Sequence, residues 1–242
     1  MRIVQLSSSS LLSSTEPIRL ALHGEGDYIS DLIFSSKSFY EEYALLRFAR
    51  LLFKYRREGA FIDVGCNIGN HSSMLSRIIG FTSIFLVDPV KENIRLARFN
   101  NLQAFSFLSA ASSQPGNVSV YVFQDNYGAC TLKNLWDPVY GEGHDPKWGG
   151  KLRVDIVPAI TLDLITENPV MAIKIDVEGA ELRVLKGACK LLKLFKPILW
   201  IEMHSDDILK RSFEYTRTDI NNFLDSFGYR SVWSDGFNFF YV

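Results

Sequence analysis

Two stretches of this 242-residue chain share one pattern: a short apolar run ends at an acid and a glycine, and a helix-compatible segment follows. They are Phe61-Ile62-Asp63-Val64-Gly65-Cys66-Asn67-Ile68-Gly69-Asn70 and Ile173-Lys174-Ile175-Asp176-Val177-Glu178-Gly179-Ala180-Glu181. Strand, tight turn and helix in that order build parallel α/β sheets, which gather ligands at the carboxyl ends of their strands. The surrounding sequence extends the alternation. Strands are expected at residues 83–88, 105–110, 170–175 and 198–203, and helices at 70–79 (closed by Gly80), 91–100, 180–194 and 218–227. The chain ends in two apolar runs, 229–233 and 237–242, around Ser234-Asp235-Gly236, the pattern of a β-hairpin. The expected fold is one doubly wound, mostly parallel seven-stranded α/β sheet of Rossmann-like type.

The alternation breaks once. After the Pro115-Gly116 turn, residues 118–123 alternate like an exposed antiparallel strand that residues 152–156 can pair. Between them, residues 125–150 are rich in Gly, Asn, Asp, Pro, Tyr and Trp, and loops of that length are more often functional than merely connecting. The expected organisation is a partly irregular N-terminal segment, 1–38, followed by the sheet domain, 39–242. Within that domain, residues 39–58 read as a helical cap, with Tyr43, Leu46, Ala49, Arg50 and Phe53 near helical spacing, and 118–157 as an acceptor lid.

Composition narrows the class. A 47% hydrophobic content supports a full core, and a formal net charge of -1 offers no basic field for nucleic acid. Cys66, Cys130 and Cys189 lack metal-ligand spacing and read as reduced thiols of a cytoplasmic protein. The serine-rich opening lacks the apolar core of a signal peptide, and no apolar run reaches membrane-spanning length.

In the first stretch the glycines follow an Asp-x-Gly-x-x-x-Gly pattern, which lets a loop approach a ligand closely. The Gly-x-Gly-x-x-Gly spacing of pyrophosphate-binding loops is absent. Ser83-Ile84-Phe85-Leu86-Val87 then leads to Asp88, an acid at the end of a second strand, where a ribose diol is usually held. Adenosine bearing an amino-acid tail fits both features, which points to S-adenosylmethionine with Asp88 accepting two bonds from the ribose hydroxyls.

The strings Asp63-Val64-Gly65-Cys66-Asn67-Ile68-Gly69, Thr161-Leu162-Asp163, Lys174-Ile175-Asp176-Val177-Glu178-Gly179-Ala180-Glu181, Leu185-Lys186-Gly187-Ala188 and Glu202-Met203-His204 together resemble the FkbM family of S-adenosylmethionine-dependent methyltransferases. The likeness runs from about residue 39 to residue 204. Two departures are Asp88, where the family often has Glu, and Cys66, where it often has Ala. The resemblance implies a class I methyltransferase fold and O-methylation of a hydroxyl on a sugar or secondary metabolite, with a small-molecule acceptor.

Candidate cofactor-binding residues are Asp63, Gly65, Asn67, Gly69, Asp88 and Asp176; candidate catalytic residues are His204, Asp176 and Glu202. Glu202 and His204 are two apart on one strand and so share a face. His204 has the pKa best suited to removing an acceptor proton near neutral pH, with Asp176 as second choice or as orienter. The same three could ligate a divalent ion, but so mixed a set selects no particular metal and none is assigned. Lys174, in an apolar run, needs a carboxylate partner, for which Asp63 and Glu202 are the candidates. His71 reads as a surface or packing residue. Tyr127, Trp136, Tyr140, His144 and Trp148 could stack on an acceptor. The competing readings are an NAD-dependent oxidoreductase and a non-catalytic cofactor-binding domain.

Overall fold

The computed structural model describes residues 1–6, 18–55, 57–123, 126–132 and 152–242. Its frame is a seven-stranded sheet built from β3 (Ala60–Val64), β4 (Ile84–Asp88), β5 (Phe105–Leu108), β10 (Val170–Ile175), β11 (Ile198–Glu202), β12 (Ser231–Ser234) and β13 (Asn238–Tyr241). The order across the sheet is β12-β13-β11-β10-β3-β4-β5. The five strands from β11 to β5 are mutually parallel, whereas β13 runs antiparallel to β11 and closes a hairpin with β12. Strands β3 and β10 are buried at every residue, as expected of parallel strands covered on both faces.

Alternate residues of these strands enter two separate cores. On one face Ile62, Ile173, Ile175, Leu199 and Ile201 pack against α5 (Glu181–Lys186), α6 (Cys189–Phe195) and α8 (Arg217–Ser226) through Leu185, Leu191, Ile220 and Leu224. On the other, Phe61, Ala172, Trp200 and Phe240 meet α2 (Glu42–Lys54) and α3 (Asn70–Ile78) through Leu45, Phe48, Met74 and Leu75. Residues before the first sheet strand contribute to this second core. Strands β1 (Arg2–Leu6) and β2 (Ile18–Leu22) form an antiparallel pair, followed by α1 (Tyr28–Ser36). Leu20, Leu22 and Ile33 of these elements are fully buried.

Chain order places β3 first, then β4 and β5 to one side, with α4 (Lys91–Asn100) between them; β10 then crosses to the opposite flank of β3. The reversal opens a crevice at the carboxyl ends of β3 and β10.

Two elements differ from their sequence expectation. The third strand does not run to residue 110. It stops at Leu108, the Ser109 N–H caps the carbonyl of Asp88, and β6 (Ala110–Ala111) pairs with β9 (Leu152–Ile160) instead. With β7 (Gly116–Phe123) and β8 (Asn126–Thr131) these form a second sheet of order β6-β9-β7-β8. The single helix expected at 180–194 is two helices, α5 and α6, separated at Gly187. A Cβ there would lie 2.1 Å from the Ser112 carbonyl oxygen, and the Gly187 carbonyl accepts from Asp163 N–H. The Asp163 carboxylate in turn accepts from Lys190 and Leu191 N–H at 2.9 Å, starting α6 as a new helix.

Gly187→Ala therefore has to displace backbone rather than a flexible side chain. It should destabilise the protein by about 2 kcal/mol, seen as a lower midpoint in denaturant at an unchanged slope.

Candidate active site

The loop between β3 and α3 is pinned to the neighbouring strand by Gly65 and Cys66 N–H, which both donate to the Val87 carbonyl. Gly65, Asn67 and Gly69 all have positive φ (73°, 48° and 73°). The glycines answer to packing against protein. A Cβ on Gly65 would lie 1.6 Å from the Asp176 carbonyl oxygen, and one on Gly69 would lie 2.4 Å from Asn101 Nδ2. Gly65 still lines the crevice, whereas Gly69 lies behind it as the residue that starts α3.

Asp63 is also set back. It is fully buried, its Oδ2 accepts from Ser72 Oγ at 2.5 Å, and it faces Lys174 across the β3–β10 register. It lies outside the cavity lining, among the groups that fix the loop. Asn67 is different: it lines the cavity, and neither its Oδ1 nor its Nδ2 has a partner among the described residues. A buried, unpaired amide at a cavity wall is a site prepared for a polar ligand.

Asp88 ends β4 and lines the same cavity. Its Oδ1 accepts from Val90 N–H (2.9 Å) and Asn93 Nδ2 (3.2 Å), and its Oδ2 from Asn67 N–H (2.9 Å). Three of the roughly four acceptor positions of a carboxylate are thus occupied. Asp88 has room for one ribose hydrogen bond on Oδ2, where two were expected from the sequence. Burial pushes its pKa up to about 7, against the pull of those three donors.

Beyond β10 the chemistry becomes acidic. Lys174 is fully buried, and its ammonium pairs with Asp176 Oδ2 at 2.8 Å rather than with either partner expected from the sequence. Burial works against its charge, but Asp176, Asp63, Glu202 and Glu41 outweigh burial and raise its pKa. Glu202 is pushed well above the ordinary carboxylate range, by the charge of Asp176 first and burial second, so it holds a proton at neutral pH. Its raised pKa makes it the carboxyl of the set that most readily carries a proton.

Glu178 and Gly179 take positive φ (51° and 99°), which returns the chain towards α5. The turn is fixed by Tyr215 Oη, whose single hydrogen is within bonding distance of both the Gly179 carbonyl (2.7 Å) and Glu181 Oε2 (2.9 Å), and by Gly179 N–H, which donates to Glu181 Oε1. Glu178 Oε2 then lies 2.7 Å from His204 Nε2. Burial alone would lower the His204 pKa, but the bond to Glu178 and the charges of Glu178, Glu181 and Asp176 raise it above 6.5. Arg217 anchors the segment by donating to the carbonyls of Met203 and His204.

Gly65, Asn67, Asp88, Asp176, Glu178, Glu202 and His204 line one cavity of about 300 Å³. Along the sheet edge the order is His204 and Glu202 after β11, Asp176 after β10, Gly65 and Asn67 after β3, and Asp88 after β4. Three interstrand steps separate the first from the last, about 14 Å. Tyr28, Ile29 and Tyr40 from the N-terminal elements, and residues 126–132, complete the walls. Tyr127 stacks on His23 with ring centroids 4.4 Å apart; Trp136, Tyr140, His144 and Trp148 lie outside the described residues.

Of the surface and packing roles the sequence left open for His71, the packing role fits its burial. The residue lines the cavity, and its Nε2 lies 3.1 Å from Glu41 Oε2. Its position at the start of α3 was visible in the sequence, but the αL residue Glu41 that meets it, at the start of α2, was not. Among the described residues no group of three or more His, Cys, Asp or Glu side chains is arranged to hold a metal ion, and no helix is long and apolar enough to cross a membrane.

This strand order, with the reversed final hairpin and ligand crevice, is that of the class I S-adenosylmethionine-dependent methyltransferases. The family model for the methyltransferase FkbM domain matches residues 63–231, and the chain belongs to that family, whose methyl donor is S-adenosylmethionine. Among solved structures, the methyltransferase FkbM from Methylobacillus flagellatus KT is 16% identical, with a TM-score of 0.50 over 91% of this chain and 55% of that one. The chain thus spans about half the length of that relative. Magnesium protoporphyrin IX methyltransferase from Synechocystis PCC 6803, solved with bound SAM, is 12% identical with a TM-score of 0.47, covering 90% of this chain and 84% of that one. No curated protein matches the chain.

Lys174→Met leaves the partly buried Asp176 without its cation and removes the positive charge whose field reaches Asp63, Glu202 and Glu41. It should cost about 3–5 kcal/mol in chemical denaturation at pH 7, whereas Glu202→Gln, which mimics the protonated acid, should be close to neutral.

Proposed function

We propose that the chain transfers a methyl group from S-adenosylmethionine to a hydroxyl of a small molecule, a sugar or other secondary metabolite, with His204 as the general base. The observation that carries this is the Glu178–His204 pair at one end of a cavity whose other end holds the unpaired Asn67 amide and Asp88. Asn67 and the free acceptor position on Asp88 suit the polar edges of the cofactor, and the Ala110–Ala111 wall suits an adenine ring. When bound, the cofactor supplies a sulfonium methyl that an oxygen nucleophile can displace in line. Asp63 and Gly69 act by fixing the loop.

The chain's own contribution is alignment and proton removal. Because Glu178 holds Nε2, the nitrogen left to take the acceptor proton is Nδ1 of His204. Asp176 is tied to Lys174 through one oxygen, which leaves the other to orient the acceptor. Glu202, carrying a proton, is a donor to the acceptor's neighbouring oxygens. Residues 126–132, inside the 118–157 insertion, form a wall of the cavity and support its reading as an acceptor lid. The free cysteines Cys66, Cys130 and Cys189 suit a reducing compartment, and the cytoplasm is the location proposed.

Calorimetry with S-adenosylmethionine, S-adenosylhomocysteine and NAD tests the cofactor: the first two should bind and NAD should not. Binding should weaken as pH falls below about 7, because protonated Asp88 loses its free acceptor position. Asp88→Asn should bind more weakly and lose that pH dependence. In methyl-transfer assays over a panel of sugar hydroxyl acceptors, His204→Ala should leave cofactor affinity intact and slow turnover by about 10²–10⁴-fold. A protonated imidazole cannot accept a proton, so wild-type turnover should rise with pH through a value above 6.5. Near-normal turnover by His204→Ala would remove it as the base.

A further inference from the structure

Asn93, on α4, is 1% exposed, and every hydrogen of its amide is committed. Nδ2 donates to Asp88 Oδ1 (3.2 Å) and to the Tyr127 carbonyl (3.1 Å). These two bonds decide the orientation of the amide and turn Oδ1 towards His23 Nε2, 2.8 Å away. An amide oxygen only accepts, so His23 must present Nε2–H there. Neutral and protonated imidazole can both do so, and the contact survives titration of His23, whose charged neighbours are Asp27 and Glu92.

His23 is itself held. It is buried, its backbone N–H donates to Ser30 Oγ, and its ring lies on Tyr127. Asp27 accepts from Ser30 N–H and from Tyr127 N–H, which binds the same N-terminal stretch to β8. Gly128, next on β8, has Ile29 Cδ1 2.8 Å and Asn67 Nδ2 3.2 Å from where its Cβ would be, so this strand lies directly over the glycine loop.

We propose that Asn93, oriented by His23, is the positioning residue that sets the Asp88 carboxylate for a cofactor ribose and so determines discrimination for the ribose hydroxyls. This rests on the S-adenosylmethionine reading above. With Oδ1 committed inward to Val90 N–H and Asn93, the acceptor position left to the ligand is on Oδ2, beside Asn67 N–H. Without Asn93 the carboxylate keeps Val90 N–H on Oδ1 and Asn67 N–H on Oδ2, but a second acceptor position opens on Oδ1 that competes with Oδ2 for the ribose, so the contact must be organised on binding. His23 lies outside residues 63–231, so a segment before the family-matched region completes a ribose site made within it.

The test is calorimetry with S-adenosylhomocysteine and its 2′- and 3′-deoxy analogues on wild type, Asn93→Ala and His23→Phe. The phenylalanine keeps a ring on Tyr127 while removing Nε2–H. Wild type should lose about tenfold in affinity on removal of one ribose hydroxyl. In both variants that loss should shrink to within about threefold, with the parent ligand itself bound about tenfold more weakly in Asn93→Ala. A general loosening of the fold would weaken all three ligands alike and leave the ratio unchanged, so an unchanged ratio in the variants overturns the inference. If Asn93→Ala does not fold, His23→Phe alone decides by the same ratio. Wild-type protein that binds S-adenosylhomocysteine without discriminating the hydroxyls also overturns it, whereas folded wild type that binds none of the three ligands refutes the cofactor reading itself.

Discussion

The Lys174 ammonium is the constraint around which the carboxyl edge of this sheet is organised. It stands on the central strand β10 with no exposed surface, in a run that otherwise reads Val-Met-Ala-Ile and Ile. An isolated ammonium could not remain charged there. Asp176 pairs with it directly, and Asp63 from β3, Glu202 from β11 and Glu41 from the start of α2 contribute to its field. One cation thus draws acids from four elements to the same end of the sheet. Crowded against Asp176 and buried, Glu202 has a pKa raised above the ordinary carboxylate range even with Lys174 close by.

From that centre the turn 176–181 distributes the remaining groups. Of its two positive-φ residues, Gly179 adopts that conformation freely, whereas Glu178 costs backbone energy that the surrounding contacts must overcome. Those contacts are the Tyr215 hydroxyl, the Glu181 carboxylate and Thr131 Oγ1, which donates to the Glu178 carbonyl at 2.8 Å. A Cβ at Gly179 would come within 2.0 Å of the Phe213 ring, so the turn is packed as well as bonded. Glu178 is placed by this over-determination against His204. Glu181, an acid in the first turn of a helix, serves the turn rather than the ligand.

Much of this was legible in the sequence because the parallel strands are continuous apolar runs that end at acids and glycines. The Asp63 to Gly69 and Lys174 to Glu181 strings placed the cavity, and the final hairpin and the β7–β9 pairing followed from two-residue periodicity. What the sequence did not disclose depended on contacts between distant segments. The break at Gly187 is set by the carbonyl of Ser112 and the carboxylate of Asp163, neither of which alters the helical pattern of residues 180–194. The partner of Lys174 is Asp176, two residues on and just past the end of its strand, while Asp63 bonds Ser72 through Oδ2. The sequence pattern marked Gly65 and Gly69 but not the packing that requires them, a Cβ at either meeting Asp176 or Asn101.

The cavity therefore has walls of two origins. The sheet edge supplies groups whose positions follow from strand order: the loop after β3, Asp88, Asp176 and the β11 residues. Its other walls come from elements that no strand pattern dictates: α1 with Tyr28 and Ile29, the stretch before α2 with Tyr40, and β8 from Asn126 to Thr131. These outer elements meet one another as well as the edge. His23 and Asp27 hold Tyr127, Ile29 meets Gly128, and Thr131 meets Glu178. A change in any of them alters the shape of the cavity while leaving Lys174, Asp176 and the glycine loop in place. The sheet edge and the enclosure are joined where Asn93 meets both Asp88 and Tyr127, where Thr131 holds the Glu178 turn and where Glu41 meets His71.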